Sequence, residues 1–571
     1  MSASGTAARA DTTPPACLLN GDATQGDALL HDHYLFAPHP EVTLPHDLTW
    51  AEDPLHDRNW RFDFHALRWV ENLWAAWTST NDQAYYDRYV ELLQDWYDDN
   101  PVDHPPSDFS WNDHATAWRG VVYACALKRL APRPDWLTAA AQLHGSKLAD
   151  DSFYVHHGNH ALNQSIGLLE LGCALPNLNW RDLAASRIET LIRESVDRQG
   201  VTNEQSDGYE LYNYGQYSLA AQRMQACGVT PSAEFSRRLN AMPHFMAMAA
   251  SPGGKTVMIG DTSDVPIPQV GEAQYVATNG AQGPRPTTLW MTCTAGYALL
   301  HSGWGSPARQ LNDESVVTAR FGPGRAFHGH NDAASVTLGS WGNRILIDPG
   351  GPHDFNASAW QKYFRSENAH NTVTVDGLTM YTTGSTSLIG ERHVSTFDFV
   401  ALRHTKYHGV VHQRRVFYSR DLDVLVVEDH LTSSVARTYR QLWHLLPDAS
   451  PQWYGSNGGF ITRRADGANV KARQLVGGVG RRVIKGQSSP RQGWVTWSYG
   501  SAVAAPVVSL SHRGTDVRFV TLFLPGATTA RGASVKHFSL RSEGFDLTLA
   551  TGGVTERILV SAKTASEARL S

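Results

Sequence analysis

Cysteine is scarce in this 571-residue chain: five residues (Cys17, Cys125, Cys173, Cys227 and Cys293), widely scattered and without a CxxC pair. The spacing excludes a Cys-ligated zinc motif, and the odd count and scatter read as buried thiols, not a disulfide framework. No run of apolar residues approaches the length needed to span a bilayer. Nor is there an excess of positive charge, since 49 Lys and Arg against 55 Asp and Glu give a formal net charge of -6. A polyanion-binding surface of the nucleic-acid type is excluded for the molecule as a whole, so an anionic substrate would need a locally basic cleft. The opening MSASGTAARADTTPP has no apolar h-region and does not read as an intact signal peptide. The compartment stays open between secreted, with a leader already removed, and cytoplasmic. Self-association is equally open.

What the chain does have is length and aromatic surface. At 571 residues it exceeds what one hydrophobic core supports, so two or more domains are expected. Hydrophobic residues at 42% and charged residues at 18% are those of a globular protein. Eighteen Trp and twenty Tyr offer flat faces that stack on sugar rings, although the same residues also fill cores. The first half places apolar residues at i, i+3, i+4 and i+7 in HALRWVENLWAAW, QAYYDRYVELLQDWY, ATAWRGVVYACALKRLA, HALNQSIGLLELGCAL, WRDLAASRIETLIRESV and QYSLAAQRMQACG. Short connections rich in Pro, Gly and Asn/Asp predict antiparallel helical hairpins closed or partly closed into a toroid; an irregular bundle would show the same periodicity. The passage from SPGGKTVMIGD to NGAQGPRPTT reads as a linker or an inter-domain cover. From Tyr297 onward, β-branched runs of period two such as SVVTARFG, ASVTLGSW, NTVTVDG and DVLVVEDHL predict an antiparallel domain of two packed sheets. The expected organisation is an irregular segment over 1–50, a helical domain over 51–290 and a sheet domain over 291–571, with ligands favouring the cleft between domains.

Chemistry concentrates between Phe327 and Gly377, where FHGHND, ILIDPGG and YFRSENAHNTVTVDG follow one another. At i and i+2 on a strand, His328 and His330 would share a face. Asp348 ends an ILI strand before Pro-Gly, and His370 precedes NTVTV. Two His and one Asp from adjacent strands supply N, N, O ligation for zinc; a hydrogen-bonded cluster accounts for the same spacing. In the helical half, HHGNHALNQ places Asn159 and His160 at a helix start, a position suited to a carboxylate. Capping is the plainer role for Asn159. GVTNEQSDGYELYNYGQY gathers Tyr209, Tyr212, Tyr214 and Tyr217 beside Glu204 and Asp207, residues able to pack, stack on sugars or move protons. SWNDHATAWRG adds His114 and Arg119 at near-helical spacing, where a helix flank with a solvated Arg is the plainer reading.

Taken together these segments resemble the heparinase II/III-like polysaccharide lyases. The likeness runs through most of the chain and is carried most specifically by HGHNDAASVTLGSWGNRILIDPGG and YFRSENAHNTVTVDG, with NHALNQSIGLLELG and EQSDGY similar to the family's helical-domain signatures. It implies a multidomain α+β fold: an N-terminal incomplete (α/α) toroid followed by a C-terminal antiparallel β-sandwich domain. It also implies β-elimination on a uronic-acid-containing glycan. Under the same resemblance Asn159 and His160 bind the uronate carboxylate and assist near carbon-5, Tyr209 is the catalytic tyrosine and His328 the second catalytic histidine. His330, Asp348 and His370 are implied ligands of a chiefly structural zinc. Arg119, His114, Tyr214, Arg365, Tyr363 and His353 are the expected substrate contacts. Members often carry a tyrosine shortly after the DPG turn, where this chain reads GPHDFNASAW; His353, Phe355 and Tyr363 stand as alternatives for that place.

The residue types suit such a reaction. The carbon-5 proton becomes acidic only when the neighbouring carboxylate can take up charge, which an amide, imidazole or guanidinium stabilises. A His or an ionised Tyr takes the proton and a Tyr hydroxyl protonates the departing oxygen. In syn geometry one tyrosine could do both; in anti geometry His328 or His160 would be the base and Tyr209 the acid. The expected partner is an acidic polysaccharide or oligosaccharide, with no nucleic acid and no membrane. Two other classes stay open: a glycoside hydrolase using Glu204, Asp207 or Glu210 as opposed carboxylates, and a non-catalytic carbohydrate-binding protein with a structural zinc.

Overall fold

The computed structural model describes residues 16–465 and 467–570, so the MSASGTAARADTTPP stretch lies outside the described residues. The chain forms two compact units: residues up to Ser195 with Tyr214–Leu239, and Val196–Asn213 with the chain from Asn240 onward. The composition change near residue 290 lies within the second unit. Phe245, Met248, Val257 and Ile259 share one core with Met291, Tyr297 and Leu299, which makes the Gly/Pro-rich passage part of the sheet unit and not a linker.

The first unit contains helices Arg58–Ala66, Glu71–Thr80, Gln83–Asp99, Asp113–Arg129, Asp135–Ala149, Gly158–Ala174 and Leu178–Ser195. Their starts are set by short acceptors: Asp57, Asp82 and Asn112 each cap the backbone N–H groups of the following turn. The helices from Asp113 and Gly158 pack on each other along buried faces. A Cβ at Gly167 would stand 2.5 Å from the Ala117 carbonyl oxygen, so glycine sets this close approach. HALRWVENLWAAW is not one helix, because Leu67 takes a left-handed conformation (φ 56°) that ends the Arg58–Ala66 helix. Helices Asp135–Ala149 and Ala233–Met248 were not read from periodicity; the second carries Pro243 inside it.

Four of the five cysteines are bridged, which corrects their reading as thiols. Cys17 pairs with Cys125 and Cys173 with Cys227, with Cα atoms 4.9 and 6.0 Å apart. Separations of 108 and 54 residues concealed these pairs, because helix packing and not local spacing brings them together. Cys293 is the buried free thiol.

The second unit is antiparallel sheet. A five-stranded sheet runs in chain order from Trp290–Cys293 to Asn343–Leu346. A ten-stranded sheet is built around two 21-residue strands, Val424–His444 and Pro506–Gly526. Alternation sends Val400, Leu402 and Val427 into a core with Ala298, Val317 and Leu338 of the five-stranded sheet. Their neighbours Phe399, Ala401 and Val426 face Phe545, Leu547 and Ile558 of a four-stranded C-terminal sheet. The expected sandwich of two sheets thus gains a third layer, because both faces of the central sheet are apolar. No helix among the described residues is long and apolar enough to cross a membrane.

Candidate active site

In the sheet unit, FHGHND is a loop joining strands Val316–Arg320 and Val336–Ser340, not a strand, so alternation is not what aligns its histidines. A shared carboxylate does. Asp261 Oδ2 lies 3.0 Å from His328 Nδ1 and its Oδ1 lies 3.0 Å from His330 Nε2. Gly329 permits the loop to press on Gln205, since a Cβ there would stand 2.2 Å from Gln205 Oε1. Arg365 completes the group, with Nε 3.3 Å from Asp261 Oδ1. Burial alone would raise the Asp261 carboxyl, but His328, His330 and Arg365 hold it far below the usual carboxylate range.

Tyr209 lies in the first turn of helix Asp207–Ala226 and stacks on the His328 ring, centroids 3.4 Å apart and planes 9° from parallel. Ser206 Oγ donates to the Asp261 carbonyl at 2.9 Å, and the Gly208 N–H donates to Thr262 Oγ1 at 2.9 Å. The helix start is thereby fastened to the Asp261 segment. Burial, reinforced by the charges of Asp261 and Glu204, pushes the Tyr209 hydroxyl well above its ordinary value. It is a neutral phenol in this setting, a proton donor.

His330, Asp348 and His370 form a second, fully enclosed cluster whose ligand atoms lie within 4.8 Å of one another. His370 Nδ1 is 3.0 Å from Asp348 Oδ2. One atom on each residue is left buried without a hydrogen-bond partner: His330 Nδ1, Asp348 Oδ1 and His370 Nε2. Two imidazoles and a carboxylate, each with an unpartnered buried atom, form a donor set that fits a divalent cation of the zinc type. Burial acts to lower His370, yet Asp348 with Asp332 and Glu367 brings it above the ordinary histidine value.

The helical unit carries a separate group. The capping position of helix Gly158–Ala174 is His157, so Asn159 lies within the first turn, half-buried, and is not the cap. His160 Nδ1 is 2.7 Å from Asp113 Oδ2. Its ring lies 4.3 Å from that of His114, whose other face stacks on Phe62 at 4.4 Å. His114 Nε2 accepts from Trp118 Nε1 at 3.2 Å and Asn163 Nδ2 at 2.8 Å, which fixes it as a neutral acceptor. Burial and the neighbouring His160 hold it well below the ordinary histidine value. His114 therefore props His160 and is not a cationic substrate contact.

Two further expectations change. Arg119 is fully buried, donating to His144 Nε2 (2.9 Å) and to the carbonyls of His65 and Ser110 (both 2.6 Å), beneath the Trp96 ring. It is a core arginine and not a substrate contact. Tyr363 is also buried; its hydroxyl accepts from the Gly493 N–H at 3.1 Å, so it does not reach a substrate. His353 is bound to Asp354 at 2.9 Å and stacked on Trp360. Tyr214 stays half-buried on its helix. Glu204, Asp207 and Glu210 are each 1–2% exposed. Glu210 accepts the Thr202 N–H at 2.7 Å, and Asp207 is pushed up to about 7 chiefly by burial. Carboxyls so enclosed do not face each other across a sugar, which removes the geometric basis for a hydrolase.

Sequence reasoning missed Asp261 and Asp113, the carboxylates that orient His328 and His160. Asp261 stands in VMIGD, where a lone acid after an apolar run was the available signal. Arg325 was missed as well: it is exposed and within electrostatic reach of Arg365 and Asp261.

Two family profiles together span most of the chain. The profile described as Heparinase II/III N-terminus matches residues 20–271, and that described as Heparinase II/III-like, C-terminal, matches 284–535. The chain belongs to the heparinase II/III-like family. It is 23% identical to a heparin-sulfate lyase of Pedobacter heparinus over 468 residues, 75% of this chain and 69% of that one. A heparin-sulfate lyase of Bacteroides stercoris is 20% identical over 582 residues, 92% of this chain and 85% of the relative. The crystal structure of Heparinase III superposes with a TM-score of 0.81 at 16% identity, covering 99% of this chain and 94% of that one.

Proposed function

We propose that the protein cleaves a uronate-containing glycosaminoglycan of the heparan-sulfate type by β-elimination. The observation that carries this reading is the stacked Tyr209–His328 pair, with His328 held through Nδ1 by Asp261. That bond leaves His328 Nε2 as the base that takes the carbon-5 proton. Tyr209, held neutral, protonates the departing glycosidic oxygen. By themselves, Asn159 and His160 of the helical unit offer an amide and an imidazole of the kind that stabilises charge developing on a uronate carboxylate. Near His328, exposed Arg325 and the Asp261-paired Arg365 are cations proposed to meet carboxylate or sulfate groups. The names of the two lyase relatives support the substrate class.

His330, Asp348 and His370 would hold a zinc ion, which ties three separated chain segments together and supplies no step of the elimination. Incubation with heparan sulfate tests the reading: an unsaturated uronate appears as new ultraviolet absorbance, and products weigh one water less than hydrolysis products. Saturated products, or no cleavage of any uronate polymer, would refute it. Metal analysis of the purified protein, with loss of about one zinc per chain in His370→Ala, tests the metal.

A further inference from the structure

The net charge of -6 conceals a reversal in one stretch of the sheet unit. Residues 449–515 hold nine Lys and Arg (463, 464, 471, 473, 481, 482, 485, 491 and 513) against one acid, Asp466. Arg464 is paired with Asp448. Among the described residues, no carboxylate lies within ion-pair distance of Lys471, Arg473, Arg481 or Arg482. Self-repulsion among unpaired cations is a cost unless an anion relieves it.

Two of these cations, Lys471 and Arg481, lie beside the outermost strand of the ten-stranded sheet, Gln452–Tyr454, which turns at Gly455–Gly458 into strand Gly459–Ile461. Trp453 and Tyr454 on this edge are each 39% exposed. Adjacent residues of a strand point to opposite sides, so the edge presents one aromatic ring on each side. Each ring has its own cation: Arg481 lies 5.7 Å from the Trp453 centroid and Lys471 4.1 Å from that of Tyr454. Arg481 is steadied by the Gly455 carbonyl at 3.4 Å. A flat apolar face beside a fixed cation is what an anionic sugar needs, since the ring receives the C–H face and the cation receives the carboxylate or sulfate. A neutral glycan would have no use for the charges.

We propose that this hairpin edge is an auxiliary binding site for an anionic polysaccharide chain, separate from the Tyr209–His328 group. It rests on the reading of the protein as a glycosaminoglycan lyase and assigns it a second hold on long substrates. Local concentration of polymer at such a site raises apparent affinity through effective concentration, and leaves the chemical step untouched.

The test compares the full-length protein with Trp453→Ala/Tyr454→Ala and, in case loss of the aromatics disturbs the hairpin, with Lys471→Gln/Arg481→Gln. Native gel electrophoresis through immobilised heparan sulfate reads binding without turnover. Steady-state kinetics on heparan sulfate polymer and on its tetrasaccharide read the consequence. Both variants are expected to lose most of their retardation in the glycan gel and to show KM on polymer raised about five- to tenfold, with the tetrasaccharide KM and kcat unchanged. Unchanged retardation and polymer KM in the charge variant would overturn the proposal, as would equal losses on polymer and tetrasaccharide. Retardation by double-stranded DNA but not by heparan sulfate would overturn it too, assigning the edge to nucleic acid. Should the wild type yield no unsaturated product, the lyase reading fails, while the glycan gel still decides whether the edge binds.

Discussion

Tyr209 lies flat on His328, the two rings 3.4 Å apart and within 9° of parallel, and His328 is in turn anchored to Asp261. Stacking fixes the two rings against each other, while His328 Nε2 lies 3.8 Å from the buried Glu204 carboxylate. Burial keeps the phenol neutral. Tyr209→Phe is expected to keep the ring contact and the fold while removing the transferable proton, lowering kcat about 10²–10⁴-fold with little change in thermal midpoint. Initial rates of unsaturated-product formation alongside a melting curve check this. Full turnover in Tyr209→Phe would exclude the residue as the acid.

Asp261 serves two histidines at once, one proposed for catalysis and one for metal binding. Asp261→Asn keeps the shape and removes the charge that orients both rings. A fall of about 10–100-fold in metal affinity is expected, since partners behind metal ligands carry that weight, together with a comparable loss of kcat. Zinc content by elemental analysis and kcat on heparan sulfate are the two measurements. An enzyme with normal metal and normal rate would show that the carboxylate only fills space.

How much of this was legible beforehand divides along physical lines. Most of the amphipathic helices and the β-branched strands follow from local periodicity, and so does the order of a helical region before a sheet-rich one. His330, Asp348 and His370 were legible as a set, because imidazole is rarely spent on filler. Their geometry was not: FHGHND reads as a strand by alternation but is a loop shaped by contacts with Gln205 and Asp261. The two disulfides and the core role of Arg119 depend on which helices pack together, which no local pattern encodes. Asp261 escaped notice because it stands in a Gly-rich passage whose composition imitates a linker.

Asp113 holds His160 through a 2.7 Å contact to Nδ1. If His160 helps to neutralise the uronate carboxylate, Asp113→Asn should raise KM on heparan sulfate several-fold and reduce kcat about tenfold, the size of one lost charge-assisted hydrogen bond. Asp113→Glu should restore part of both. Equal kinetics for the wild type and Asp113→Asn would leave the contact a purely local one.

The C-terminal sheet makes an independent prediction about stability and pH. Glu556 and Glu567 lie diagonally across neighbouring strands, Glu556 being almost wholly buried, and the Glu567 carboxyl is pushed up to about 9 by burial and then by Glu556. The unfolded carboxyl titrates near about 4.3. Between these values the folded chain holds a proton that the unfolded chain has released, so stability must fall as pH rises. The full contribution is present below the unfolded pKa, declines through neutrality and is lost once pH passes the folded value. Glu567→Gln carries a permanent neutral group in the same space and removes this slope. The thermal midpoint of the wild type minus that of Glu567→Gln should therefore become steadily more negative from acid to alkaline pH and level off above about pH 9. Because every other titrating group is common to both proteins, a flat difference across that range would show that the pair does not share a proton in the fold.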